Sequence, residues 1–247
     1  MEKNIWINGP IELLNHGIIH LTENKGFDLR IAMISIDNAV ETTIKSYLSL
    51  NRRSLGIDHE VLNKSTRNFP KMLNLLLSNC SDKISSEELD AIEMFHKIRN
   101  SLYHQGTGIT VEKEIVERYA IVAKDLISRL FEVEERIDFE LETVSDITKL
   151  YGEFLMIWRD IEVNLKNYAL ISEIIPQTPR PLTIVNIINS LVRNELIDGY
   201  LAYKISNIRH FRNNIIHSQK NYTIDNMNEL IAQIKEIKEE VLTLINL

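Results

Sequence analysis

Apolar residues recur every three or four positions along most of the chain, the spacing of a stripe on one helix face. A first stretch opens at Gly9-Pro10, carries Leu13, Leu14, Ile18 and Leu21, and stops near Gly26. From Phe27 to Leu50 a longer helix is predicted, with Leu29, Ala32, Met33, Ile36, Val40, Ile44 and Leu48 as its buried stripe. A polar connection over 51–68 follows, and Pro70 stands where it can begin a helix through Leu77. Ser86 with Glu87 and Glu88 predicts a helix start, running through Ile92, Phe95 and Ile98 to about His104. Gly106 and Gly108 end it, and Thr110 is placed to cap a helix through Phe131. Further helices are predicted over about 145–173, 182–194, 199–217 and 224–246, the last striped by Met227, Leu230, Ile231, Ile234, Ile237 and Val241. No segment alternates as a strand does, so the fold class read here is all-α.

Composition supports this. With 8 Gly and 5 Pro in 247 residues, turns are scarce. The single Cys excludes an intrachain disulfide. MEKNIWINGP lacks the apolar core of a signal peptide, and no apolar run reaches the ~18 residues of a membrane span. A cytoplasmic protein with no membrane partner is expected. The net charge of −7 argues against a broad duplex-DNA binder while leaving room for a local basic cleft. Acids concentrate at Glu132, Glu134, Glu135, Asp138, Glu140, Glu142 and Asp146, read as a solvated face or linker. They place a boundary near 140–145, between one domain over 1–140 and a second over 145–247.

The two parts repeat each other. Val40-Glu41-Thr-Thr-Ile44-Lys45-Ser-Tyr47 and Ile161-Glu162-Val-Asn-Leu165-Lys166-Asn-Tyr168 share one pattern. Later come Ile98-Arg99-Asn100-Ser-Leu102-Tyr103-His104 and Phe211-Arg212-Asn213-Asn-Ile215-Ile216-His217. Six residues beyond each His stand Thr110-Val111-Glu112 and Thr223-Ile224-Asp225. Three anchors in one order indicate tandem up-down helical bundles, related by a pseudo-two-fold.

Chance supplies about 0.03 copies of Arg-Asn-x-x-x-His at this composition, so two copies carry information. On a helix, Asn100 reaches His104 and Asn213 reaches His217, four residues on. Arg and His, five apart, converge only where the helix loosens at its end. An Arg fork matches a phosphate, and an imidazole near a helix end titrates near neutral pH. Two copies provide an acid, a base and two cations, which suffices to cut RNA through its own 2′-OH without metal.

In these motifs the chain resembles the HEPN superfamily (higher eukaryotes and prokaryotes nucleotide-binding). Its hallmark is Arg, a polar residue such as Asn, and a His four to six residues beyond Arg, late in a bundle of four or five helices. The resemblance spans nearly the whole chain as two copies. It implies a metal-independent endoribonuclease whose site forms where two such domains meet, with Arg99, His104, Arg212 and His217 catalytic and Asn100 and Asn213 positioning. It also implies RNA as partner, a role as toxin or in antiphage defence, and a partner or antitoxin protein or a homodimer. Some relatives carry a modifiable Tyr two residues after the His; Gly106 and Gln219 stand there. Other relatives are non-catalytic binding or assembly modules, the alternative reading.

Glu41 with Lys45 and Glu162 with Lys166 are i,i+4 pairs, read either as plain helix ion pairs or as supports for the motif helix. His16 and His20 are also four apart, but no acid or Cys at ligand spacing accompanies them, so no metal site is read there. Cys80, in a Leu-rich segment, reads as core. No phosphate-binding glycine loop or GxSxG elbow is present, and no cofactor is expected.

Overall fold

The structure, a computed structural model, describes residues 5–23, 25–104, 111–132, 146–175, 182–216 and 222–245. These form ten helices and, among the described residues, no strand. The helices are α1 (Ile5–Glu23), α2 (Gly26–Leu50), α3 (His59–Ser65), α4 (Phe69–Asn79), α5 (Ser86–His104), α6 (Lys113–Phe131), α7 (Asp146–Ile171), α8 (Ile184–Arg193), α9 (Gly199–Ile216) and α10 (Ile224–Ile245). Two compact units result: Met1–Ile84 with Glu88–Ser145, and Ser85–Glu87 with Asp146–Leu247. Among the described residues, no helix is long and apolar enough to cross a membrane.

In the first unit α1, α2 and α6 pack on one another, α4 lies on α2, and α3 lies on α4. Gly17 brings α1 onto α2: a Cβ there would stand 2.8 Å from Ile36 Cγ1 and 3.1 Å from the Ala32 carbonyl oxygen. The same contact is tied by His16 Nδ1 to Ser35 Oγ at 3.0 Å and His20 Nδ1 to Asp28 Oδ1 at 2.9 Å. Side chains join α5 to its neighbours. Phe95 stacks on Tyr119 of α6 with ring centres 4.5 Å apart, and His96 stacks on Phe69 of α4 at 3.9 Å.

Three sequence expectations change. Gly9-Pro10 does not open α1, which starts at Ile5 and runs through Pro10. Ile7 and Pro10 are both buried, so the apolar stripe begins a turn earlier, and Pro10 gives up its i→i−4 bond to the Trp6 carbonyl. The polar connection holds α3, capped by Asp58 Oδ1, which accepts from the backbone N–H of Glu60 at 2.7 Å and Val61 at 3.3 Å. Those two bonds hold the Asp58 carboxyl below its usual range. Leu62 alone is buried in α3, too little for a periodic signal. Third, Glu112 is the N-cap residue of α6, which begins at Lys113; Thr110 lies outside the described residues, as do 133–145 and 176–181. By contrast Asn68 caps α4, Pro70 follows in its first turn, and α5 spans Ser86–His104, all close to expectation.

The second unit is built on α7, which contacts α8, α9 and α10; α9 in turn contacts α8 and α10. Phe154, Trp158, Ile161 and Leu165 of α7 form the centre with Leu191, Ile205, Ile208 and Ile234. Both α7 and α8 close on a left-handed glutamate, Glu173 (φ 56°) and Glu195 (φ 57°). The residue after each donates back into the last turn, Ile174 N–H to Ala169 at 3.2 Å and Leu196 N–H to Leu191 at 3.0 Å. Ile174 and Leu196 then pack on the core, which fixes where these helices stop. Glu132 ends α6 in the same conformation, φ 56°.

Burial places the repeat in register. Met33, Ile36, Val40, Ile44 and Leu48 of α2 match Phe154, Ile157, Ile161, Leu165 and Ala169 of α7. Phe69, Met72, Leu73 and Leu76 of α4 match Ile184, Ile187, Ile188 and Leu191 of α8, and Ile92 and Phe95 of α5 match Ile205 and Ile208 of α9. In the last pair Val116, Tyr119, Ala120 and Ala123 match Met227, Leu230, Ile231 and Ile234. That register is two residues off the one set by Thr110 and Thr223, so this anchor does not carry into the packing. Among the described residues of the second unit, no helix corresponds to α1 or α3.

Candidate active site

Late in α5, Arg99 Nη1 donates to Oδ1 of its neighbour Asn100 at 2.9 Å; late in α9, Arg212 Nη1 donates to Asn213 Oδ1 at 3.1 Å. The same side-chain pair thus closes in both copies of the motif. His104 is the last residue of α5; its side chain and the whole of His217 lie outside the described residues.

Around Arg99 the chain builds a polar cluster inside an apolar bundle. Arg99 Nε stands 3.2 Å from Asp37 Oδ2, and Nη2 donates to Asn38 Oδ1 at 2.8 Å. Asp37 is fully buried on α2, between Ile36 and Val40. Its carboxylate also accepts from Tyr119 Oη at 2.7 Å and from His96 Nδ1 at 2.9 Å. One carboxylate therefore accepts two hydrogen bonds, from α6 and α5, and pairs with the Arg99 charge beside it, as a buried charge requires. Burial first, then the Asp37 charge, pushes the Tyr119 phenol well above its ordinary value; Glu41 adds to the rise. Tyr119 is therefore a donor at any physiological pH.

Glu41 thus lies within electrostatic reach of this cluster, half-buried, whereas Lys45 is exposed. In the second unit Glu162 is buried and Lys166 half-buried.

Arg212 differs in its surroundings. It is 4% exposed. Its Nη2 donates to the backbone carbonyl of Glu87, whose carboxylate lies 3.9 Å from Arg212 Nε and accepts from Arg209 Nε at 2.6 Å. Glu87 belongs to the short stretch Ser85–Glu87 that groups with this unit.

Asp37, Asn38, His96 and Tyr119 were not found by sequence reasoning. A faint signal was present: Asp37 is a carboxylate inside the apolar stripe of α2. Its donors lie 59 to 82 residues away, beyond any local pattern.

Cys80 is buried; burial and the nearby Asp82 charge push its thiol up to about 11, so it stays protonated and unreactive at neutral pH. Among the described residues no group of three or more His, Cys, Asp or Glu side chains is placed to hold a metal. No protein-family model matches the chain, and neither a curated protein nor a solved structure matches it.

Proposed function

We propose that the chain is a metal-independent endoribonuclease of HEPN type, built from two tandem HEPN-like bundles and acting as a toxin or in antiphage defence. The observation that carries this reading is the Arg–Asn hydrogen bond made in both units, at the same place late in a corresponding helix, with His at the same spacing beyond. In the reaction, one imidazole takes the proton of the 2′-OH, and the 2′ oxygen attacks the adjacent phosphorus. The bond to the 5′ oxygen breaks as the second imidazole protonates it. A 2′,3′-cyclic phosphate and a 5′-OH result. His104 and His217 are the acid–base pair; Arg99 and Arg212 answer the charge that develops on phosphate.

Labelled single-stranded RNA incubated in EDTA with wild type, His104→Ala and His217→Ala tests this. Cleavage by wild type alone, ending in cyclic phosphate, is the expected result. Equal cleavage by all three proteins, or none by wild type across varied RNAs, overturns it.

One observation favours a second reading, a non-catalytic HEPN binding or assembly module. Arg212 is nearly inaccessible and engaged with Glu87, a bracing role more than a phosphate clamp. Under this reading RNA binds without being cut, and Arg212→Lys lowers stability more than RNA affinity.

A further inference from the structure

We propose that Asp37 is the positioning residue of the first motif: its carboxylate sets the plane of the Arg99 guanidinium and the tautomer of His96. This inference rests on the ribonuclease reading and deepens it. It makes Arg99 the preorganised cation of the reaction.

The geometry is specific. The Arg99 guanidinium is held on three sides: Nη2 donates to Asn38 at 2.8 Å, Nη1 donates to Asn100 at 2.9 Å, and Nε lies 3.2 Å from the Asp37 carboxylate as an ion pair. Three contacts fix both the position and the tilt of a planar group, which a single ion pair does not. Asp37 is held in turn by Tyr119 Oη at 2.7 Å, so the hub does not rotate. His96 donates Nδ1–H to the same carboxylate at 2.9 Å and is clamped flat on Phe69, rings 16° from parallel. A carboxylate bound to one imidazole nitrogen decides which nitrogen carries the proton. His96 precedes Arg99 by three residues, one turn back along α5.

A bundle of this shape can be packed without a carboxylate at this position. In the register shown by burial, Asp37 falls opposite Trp158 and Tyr119 opposite Leu230, and in the second unit those positions are packed as apolar core. His96 falls opposite Arg209. Replacing buried ion pairs by apolar side chains is often neutral or stabilising. The second unit carries such a solution, so the charge in the first has a purpose beyond packing, and its geometry points at Arg99.

The test is ¹⁵N NMR on the full chain with Asp37→Asn, which keeps size and removes charge. In wild type the Arg99 Nε–H exchanges slowly and His96 is protonated at Nδ1. Asp37→Asn speeds that exchange at least tenfold and mixes the His96 tautomers. On RNA in EDTA, Asp37→Asn lowers kcat about 10- to 100-fold with KM within about threefold, the signature of misplacement. Combined with Arg99→Lys it costs nothing beyond Arg99→Lys alone. An unchanged Arg99 exchange rate, or additive losses in the double variant, overturns the proposal. If wild type cuts no RNA, the ribonuclease reading fails by itself, and the Arg99 and His96 signals still judge the positioning. If Asp37→Asn does not fold, wild type alone decides: an Arg99 Nε–H that exchanges as fast as that of an exposed arginine overturns it.

Discussion

Asp37 and Trp158 hold the same place on corresponding helices, and what surrounds them has diverged together. In the first unit a buried carboxylate gathers a tyrosine, a histidine and the motif arginine. In the second a buried indole sits in aliphatic core, while the motif arginine takes its acid from Glu87. One fold thus accepts two interiors at one position. Exchanging a single residue between them leaves either a charge without donors or donors without a charge. The divergence also separates what the bundle requires from what the motif requires. Apolar periodicity is common to both units, whereas a hub centred on a carboxylate at this position belongs to the first.

The sharpest way to break this comparison is Trp158→Ala. Loss of a buried indole should cost about 3–5 kcal/mol. Hydrogen exchange should show α7 to α10 losing protection while α2 and α6 keep theirs. Equal loss in both units would mean that the two cores are not separable. Next is Gly17→Val, expected to cost about 1–3 kcal/mol by overpacking α1 on α2. A denaturant midpoint measures it, and the loss should be confined to the first unit, to which α1 belongs.

A smaller effect depends on pH. Burial, with Cys80 and Asp82 nearby, pushes the Tyr47 phenol from 10.0 up to about 12; burial and Asp82 push the Cys80 thiol from 9.0 up to about 11. The folded chain holds protons that the unfolded chain releases, so their contribution is complete below about 9. It is lost progressively as pH rises through 11 and 12. Urea midpoints at pH 8 and pH 10.5, read on α2 and α4, should fall with alkali.

The smallest effects are paired. Asn68 Oδ1 accepts from Lys71 N–H at 3.0 Å at the start of α4, and Thr183 Oγ1 from Asn186 N–H at 3.3 Å at the start of the corresponding α8. Alanine at either should cost about 1 kcal/mol, the asparagine slightly more, by thermal denaturation.

Local signals made most helices legible in the sequence: Ser86 and its acids for α5, Pro70 for α4, and seven apolar positions for α2. The Arg–Asn half of each motif was legible too, because Arg99 and Asn100 are neighbours, as are Arg212 and Asn213. The hub was not. His96, Tyr119 and Asp37 come from three helices, and none departs from its own helix's pattern except a single acid in an apolar stripe. Helix α3 escaped for the opposite reason, having a good cap and almost no buried face. Thr110 and Thr223 misled through spacing that the last helices do not follow in their burial.

Among the described residues three helix ends close on a left-handed residue, and at Glu132, Glu173 and Glu195 each is a glutamate where glycine would sit without strain. Each Cβ in that conformation costs about 1–2 kcal/mol. A protein with 8 glycines in 247 residues has left its simplest route to thermal robustness untaken. Relieving the three backbones with glycine is therefore a stabilising route that leaves the architecture, and the carboxylate buried within it, untouched.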